Sequence, residues 1–241
     1  MCGRFVSARK RLELLEEFGV ERDRVAASPD PEPAPDYNVA PTKKIFAVLE
    51  RPAREEEPQA RELRVLRWGL VPSWAKDPSH GHINARSEAL LEKPAFRESF
   101  QRRRCLIPAD GFYEWKRTGK WKQPFHFGME DGSLFAFAGI WDCWRSGQGE
   151  SMESCAIVTT AANHLLRDVH DRMPLILSPE SYTQWLSSPA SELEKANLWR
   201  PFSAQRMKRW PVSAEVNDPA NDSPSCMAEV PESAATQAPL F

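Results

Sequence analysis

Long hydrophobic runs are missing from this chain. No stretch approaches the ~20 consecutive apolar residues of a transmembrane helix. The first residues are charged (Arg4, Arg9, Lys10) and lack the apolar core of a secretory signal. A cytosolic or nucleoid location without membrane contact is therefore expected. Cysteines are sparse, five in all, and none forms a Cys-x-x-Cys pair. That odd, unpaired set suits a reducing compartment rather than a disulfide framework. Cys143 and Cys155 are too far apart for a zinc knuckle, so neither a metal nor a cofactor is expected. Internal repeats are absent. Basic residues are absent too from 215 to the end, where five acids remain.

What is present begins with Met1-Cys2-Gly3-Arg4. If Met1 is removed, Cys2 carries an α-amine and a thiol on adjacent carbons. Such a 1,2-aminothiol captures an aldehyde in two steps: the amine forms an imine and the thiol closes on it to give a thiazolidine. An α-amine with a pKa near 8 is roughly one-fifth neutral at pH ~7.4, on the order of 200-fold more than a lysine. The thiol, with a pKa near 8.5, should ionise readily. An inert residue in a frayed terminus is the structural alternative.

A length of 241 residues suits one large domain or two small ones, and nine Trp supply core or stacking material. Net charge is −2, yet residues 96–122 hold eight basic residues against three acids, and Arg200, Arg206, Lys208 and Arg209 follow with no acid among 200–210. Either a basic patch or a scatter of solvated charges fits. Helical spacing of Leu12, Leu15 and Phe18 predicts a helix over 8–18, with Ser7 as N-cap and Gly19 as stop. Five prolines in 28–41 predict an irregular loop. Strands are expected at 45–50 and 63–68 around a charged excursion at 51–61, and a helix at 87–100 broken by Pro94. Short aromatic strands follow at 105–108, 112–116, 124–128, 134–141 and 154–160. Helices near 163–167, 179–187 and 191–198 and a strand near 207–212 complete a domain over 1–217. Residues 218–241 read as a disordered acidic, Pro-rich tail. The fold class is α+β, with a mainly antiparallel sheet or barrel core and flanking helices.

Several segments concentrate reactive side chains. Glu114 lies between aromatics in Asp110-Gly111-Phe112-Tyr113-Glu114-Trp115, where a raised pKa would suit proton transfer; a structural pairing with arginine is equally open. Asn84 and Arg86 alternate along an extended stretch, so they should share a face, or they cap the next helix. His170 precedes Arg172, and Arg suits phosphates. Trp68 and Trp74 are either core or platforms for single-stranded bases.

Together, Met1–Phe5, Asn38–Thr42, Trp68–Trp74, Asn84–Glu88, Cys105–Trp115 and His170–Pro174 resemble, in order, the SRAP family, the SOS-response-associated peptidases that process abasic sites. The resemblance spans residue 1 to about 215. It implies a single-stranded DNA partner carrying an abasic site, whose open sugar offers an aldehyde to Cys2. It also implies proton shuttling by Glu114, sugar contacts by His170 and Asn84, and phosphate contacts by Arg4, Arg86 and Arg172. Asn38, Pro41 and Trp68 would wedge and stack at the lesion, and Thr160 would line the pocket. A monomer, located in the cytoplasm at the nucleoid, is expected. His80 and His82 receive no role. Two other readings stay open: an N-terminal-nucleophile amidohydrolase, since glutamine amidotransferases also begin Met-Cys-Gly, and a non-covalent single-strand-binding module with an inert Cys2.

Overall fold

Residues 2–28, 30–51, 59–196 and 198–231 are described by the computed structural model. Among them the chain runs β1 (Phe5–Ser7), α1 (Arg11–Glu17), β2 (Arg22–Asp23), β3 (Asp36–Val39), β4 (Lys44–Arg51), β5 (Ala60–Trp68), β6 (Asn84–Arg86), α2 (Pro94–Arg102), β7 (Arg104–Ala109), β8 (Gly111–Thr118), β9 (Trp121–Met129), β10 (Phe135–Arg145), β11 (Ser151–Ala161), β12 (Arg172–Pro174), β13 (Ile176–Leu177), α3 (Tyr182–Ser187), α4 (Ala190–Lys195) and β14 (Met207–Pro211). Apolar and aromatic residues dominate β7, the first eight residues of β10 and the middle of β11, which are buried on both faces. One sheet has the order β14-β9-β8-β1-β3. The other runs β12-β11-β10-β7-β4-β5-β2, with β13 on β10 and β6 on β11. A parallel pairing of β11 with β5 closes β11, β10, β7, β4 and β5 into a ring. The expected α+β architecture with a mainly antiparallel core is the one adopted.

Three apolar clusters hold these layers. Phe5, Trp68, Phe112, Phe127 and Phe137 fill the space between the sheets, with Phe5 edge-on to Trp68 at 5.1 Å and to Phe137 at 5.8 Å. Leu14, Phe18, Phe100 and Trp185 bring α1, α2 and α3 onto the other face of the larger sheet. Val6, Tyr113, Val212, Val216 and Cys226 cover the outer face of the smaller one. Each such side chain contributes about 1.5–3 kcal/mol by leaving water.

Several local expectations need correction. Helix α1 starts three residues late, because Ser7 belongs to β1; the Glu13 carboxylate accepts the Lys10 amide at 2.9 Å and caps the helix there. Its docking residues are Leu14 and Phe18, one i,i+4 pair, whereas Leu12 is 72% exposed. The proline-rich 28–41 stretch ends in β3, which pairs with β1. Pro94 opens α2 instead of breaking a helix, as its fixed φ and missing N–H allow at the first position. The 163–167 helix is absent: the Asn163 side-chain oxygen accepts the Leu165 and Leu166 amides at 3.0 and 3.1 Å and holds turns there. Most of the 51–61 excursion lies outside the described residues. Nor is the chain disordered from Asp218: through Pro231 it lies on the smaller sheet, with Cys226 buried and Glu229 bridging Val212. The donors that capture it, on Arg4 and Asn38, are more than 170 residues away in sequence, so its composition gave no sign of them. Residues 232–241 lie outside the described residues.

His126 on β9 is buried between Trp210, 4.4 Å away between ring centres, and Tyr113, at 5.3 Å. Neither ring nitrogen has a hydrogen-bond partner among the described residues. Burial penalises the imidazolium and lowers the pKa to about 3. Unfolded, the same ring titrates near 6.5. The contribution of His126 to stability is thus complete above about pH 6.5 and is lost as pH falls toward about 3. Urea unfolding from pH 7 to pH 4 should show a steeper loss for the wild type than for His126→Leu. A Cβ at Gly111 would sit 2.2 Å from His126 Nε2 and 2.9 Å from the Phe127 carbonyl, so Gly111→Ala should destabilise by about 1–3 kcal/mol.

Candidate active site

The N-terminal strand enters the core rather than fraying from it. Antiparallel pairing sets Phe5 against Phe112 and Val6 against Gly111, and the Tyr113 amide donates to the Arg4 carbonyl at 3.0 Å. Continued, this register puts Gly3 opposite Glu114. Glu114 shares a strand face with Phe112, directed into the core, and is 4% exposed. Cys2 is 0% exposed and belongs to the same core cluster. Asn84 Nδ2 donates to its carbonyl at 2.8 Å.

The C-terminal half of β11 gathers the remaining groups. On one side it pairs in parallel with β6, matching Ile157 to Asn84 and Thr159 to Arg86. On the other it pairs with β12, matching Ala161 to Arg172. Asn84, Arg86 and Arg172 therefore line one groove of about 650 Å³, together with His82, Glu88, Lys93 and Phe96. Arg172 forms a bidentate pair with Glu88 at 2.7 and 2.8 Å and donates to the Thr159 carbonyl at 2.7 Å. Glu88, given no role by its residue type, is marked in the sequence only by its place in the Asn84–Glu88 run. Asn84 Oδ1 and Arg172 Nε are buried with no hydrogen-bond partner among the described residues, a costly state for polar atoms. The Arg172 amide donates to His170 Nδ1 at 2.9 Å, so the neutral ring carries its proton on Nε2. The Asp171 carboxylate lies 3.0 Å from that same Nδ1.

The electrostatics differ from those of a free aminothiol. Burial, and then the charge of Glu114, push the Cys2 thiol well above the ordinary thiol range. The expectation of a readily ionised thiol fails on this desolvation. Burial likewise raises the Glu114 pKa, opposed in part by the nearby His170. No group of three or more His, Cys, Asp or Glu side chains suited to a metal occurs among the described residues.

Other expected contact residues have structural positions. Trp68 is fully buried; its indole donates to the Ile83 carbonyl at 2.9 Å and its ring packs on Phe5, so no base can stack on it. Its backbone carbonyl receives the Thr42 amide at 2.8 Å, fixing the turn after half-buried Pro41. Thr42 has φ 76°, a strained conformation for a β-branched residue. Trp74, by contrast, is exposed. Buried Asn38 donates through Nδ2 to the carbonyls of Val216, Asp218 and Asn221 at 2.9–3.1 Å, and its Oδ1 accepts from Arg4 at 2.8 Å. Arg4 also donates to the Val216 and Asn217 carbonyls, so both residues hold the C-terminal segment. Thr160 is buried with its hydroxyl on the Trp199 carbonyl, away from the groove. The 96–122 basic stretch is no single patch: Arg104 is buried among backbone carbonyls of α2 and α3, and Lys116 pairs with Asp168 at 2.8 Å.

Comparison with known proteins gives consistent results. Residues 1–219 match the family described as SOS response associated peptidase. The chain is 40% identical over 228 residues to the abasic site processing protein YoqW of Bacillus subtilis, covering 93% of this chain and 97% of that one. It is 36% identical over 226 residues to the abasic site processing protein YedK of Escherichia coli, covering 92% and 96%. A crystal structure of a protein from Bacteroides thetaiotaomicron superposes with a TM-score of 0.80 at 26% identity, covering 95% of this chain and all of that one.

Asn38→Ala removes the donor that three carbonyls share. At about 1 kcal/mol for each hydrogen bond it should cost roughly 2–3 kcal/mol of stability in a urea titration. A residue that merely touched DNA would lower affinity and leave stability unchanged.

Proposed function

The chain belongs to the SOS response associated peptidase family, and from that premise we propose that it processes abasic sites in DNA by joining Cys2 covalently to the lesion. The observation that carries this reading is the buried Cys2, its carbonyl held by Asn84 beside Glu114, at a groove lined by Arg86 and Arg172. An aldehyde-trapping nucleophile, a proton carrier and phosphate-binding cations thus lie together.

The chemistry follows in order. Loss of Met1 frees the Cys2 amine. The open deoxyribose presents its C1′ aldehyde, and the amine nitrogen attacks that carbon. Its proton passes to the new oxygen through Glu114, giving a carbinolamine. The protonated Glu114 carboxyl then protonates the hydroxyl, which leaves as water, and an iminium forms. The thiol sulfur adds to the iminium carbon, its proton returns to Glu114, and the thiazolidine closes. One water is lost overall. Raised by burial, Glu114 keeps its acid form to higher pH than an exposed glutamate, as water expulsion requires. Asn84 Oδ1 gains its missing donor from a sugar hydroxyl, and His170 exchanges a proton with the ring oxygen during opening. Arg86 and Arg172 hold flanking phosphates. The product shields the lesion from strand cleavage during replication.

Abasic single-stranded DNA should give an adduct that survives a denaturing gel, and intact DNA none. Cys2→Ala, or Met1 kept behind an uncleaved tag, should abolish it, and Glu114→Gln should slow it by about 10²-fold. Equal adduct from Cys2→Ala and wild type would sink the proposal. Glutaminase activity without any adduct would favour an amidohydrolase.

A further inference from the structure

His170 lies on the connection from β11 to β12, residues 162–171, which begins and ends in the larger sheet. Glu114, whose acidity its ring influences, belongs to β8 of the smaller sheet. Each strand register fixes a residue only within its own sheet, so the spacing of this pair depends on what joins the connection to the smaller one. Leu165, Leu166 and Val169 pack into the space between the sheets, a contact without directional preference. Asp168, two residues before His170, adds direction. Its Oδ2 accepts from Lys116 Nζ at 2.8 Å and from Arg209 Nη2 at 3.0 Å, and its Oδ1 accepts from Arg209 Nη1. Lys116 stands two residues beyond Glu114 on the same face of β8. Arg209, on β14, also donates to the Leu165 carbonyl at 2.7 Å and lies over the ring of Phe125, the cross-strand partner of Glu114. The carboxylate is thus gripped by close neighbours of Glu114. Hydrogen bonds from Arg209 and then Lys116 hold it well below the usual carboxylate range, so it is charged at neutral pH.

We propose that Asp168 is a positioning residue for the covalent reaction: held by Lys116 and Arg209, it docks the β11–β12 connection on the smaller sheet and sets His170 at its working distance from Glu114. The inference rests on the abasic-site reading of Cys2, Glu114 and His170. Asp168 itself touches no reacting atom. Its effect passes through tight turns: the Val169 and His170 amides both donate to the Leu166 carbonyl, at 2.8 and 2.9 Å, and Asn163 Oδ1 accepts the Leu166 amide at 3.1 Å. A displaced Asp168 therefore carries the imidazole with it. Misplacing a proton-exchanging group by about 1 Å costs on the order of 10²-fold in rate. Asp168 is 47% exposed, and ion pairs so open to water add little to folding. The contribution of the clamp is to the geometry of the site rather than to global stability.

The test is a double-mutant cycle on the full chain. The rate constant of adduct formation is followed on denaturing gels, with abasic single-stranded DNA and saturating protein. Asp168→Asn, which keeps the shape and removes the charge, should slow the reaction about tenfold. In a His170→Ala background the same change should slow it no further, because its effect passes through the imidazole. Asp168→Glu keeps the charge and should recover most of the rate. Affinity is measured separately by anisotropy on DNA carrying a tetrahydrofuran analogue, which has no aldehyde. Loss of a negative charge should leave that affinity equal or slightly higher, so rate and affinity separate. The urea midpoint of Asp168→Asn should match wild type. A wild-type rate for Asp168→Asn, or an equal slowing with and without His170, overturns the proposal. So does a slowing accompanied by a matching loss of stability. Absence of any adduct from wild type would refute the covalent reading and this inference with it, whereas normal wild-type crosslinking with an unaffected Asp168→Asn would refute the positioning role alone.

Discussion

The hydrogen bond from the Asn84 amide to the Cys2 carbonyl is the constraint from which the site is built. Chain ends usually fray unless something ties them down. Here β1 lies between β3 and β8 in the smaller sheet, and Asn84 reaches across from β6 of the larger sheet to hold the residue ahead of it. That bond couples two independent strand registers. The β1–β8 register sets Glu114 beside the terminus, and the β6–β11 register sets Arg86 two residues from the amide that holds it. Together with the packing of Phe5 on Trp68, the bond fixes the separation of Cys2, ahead of the smaller sheet, from the cationic groove on the larger.

A second group of residues keeps these registers in place without facing the groove. Trp68 binds the Ile83 carbonyl next to Asn84, packs on Phe5 next to Arg4, and receives the Thr42 amide through its own backbone. One buried side chain thus connects β6, β1 and the strained Pro41–Thr42 turn. Arg4 and Asn38 do comparable work on the outer face, where their donors meet the carbonyls of 216–221 and close the C-terminal segment over Tyr113 and Val6. The residues framing the site are held from behind by polar groups that have already found partners.

This explains what could be read from the sequence and what could not. The strand-rich middle was legible because alternating and continuous apolar runs report their own burial, and β7 to β11 follow the expected segments closely. Asn84 and Arg86 were placed on one face by strand periodicity alone, and both line the groove. The internal partners of Asn38, Arg4 and Trp68 were not legible, because polar and aromatic side chains in loop motifs look alike until their distant partners are known. The carbonyl partners of Asn38 are 178 to 183 residues away. Helix α1 was shifted for the opposite reason: its cap, Glu13 on the Lys10 amide, is local, but the apolar periodicity of Leu12 and Leu15 outweighed it.

Burial of the thiol alters the chemistry that position alone suggested. Burial raises the pKa values of both Cys2 and Glu114, and the charge of Glu114 raises that of Cys2 further. Resting sulfur is therefore protonated and weakly nucleophilic. In the proposed reaction the iminium brings a positive charge to the nitrogen two bonds from the carbon bearing sulfur. An adjacent cation favours the ionised form of a neighbouring acid, so the thiol becomes able to give up its proton only after the imine has formed. Amine addition must then precede sulfur addition, and a thiol that met another electrophile without that cation would stay inert. In the proposed reaction, desolvation is thus the source of selectivity: the sulfur is activated by the intermediate it traps.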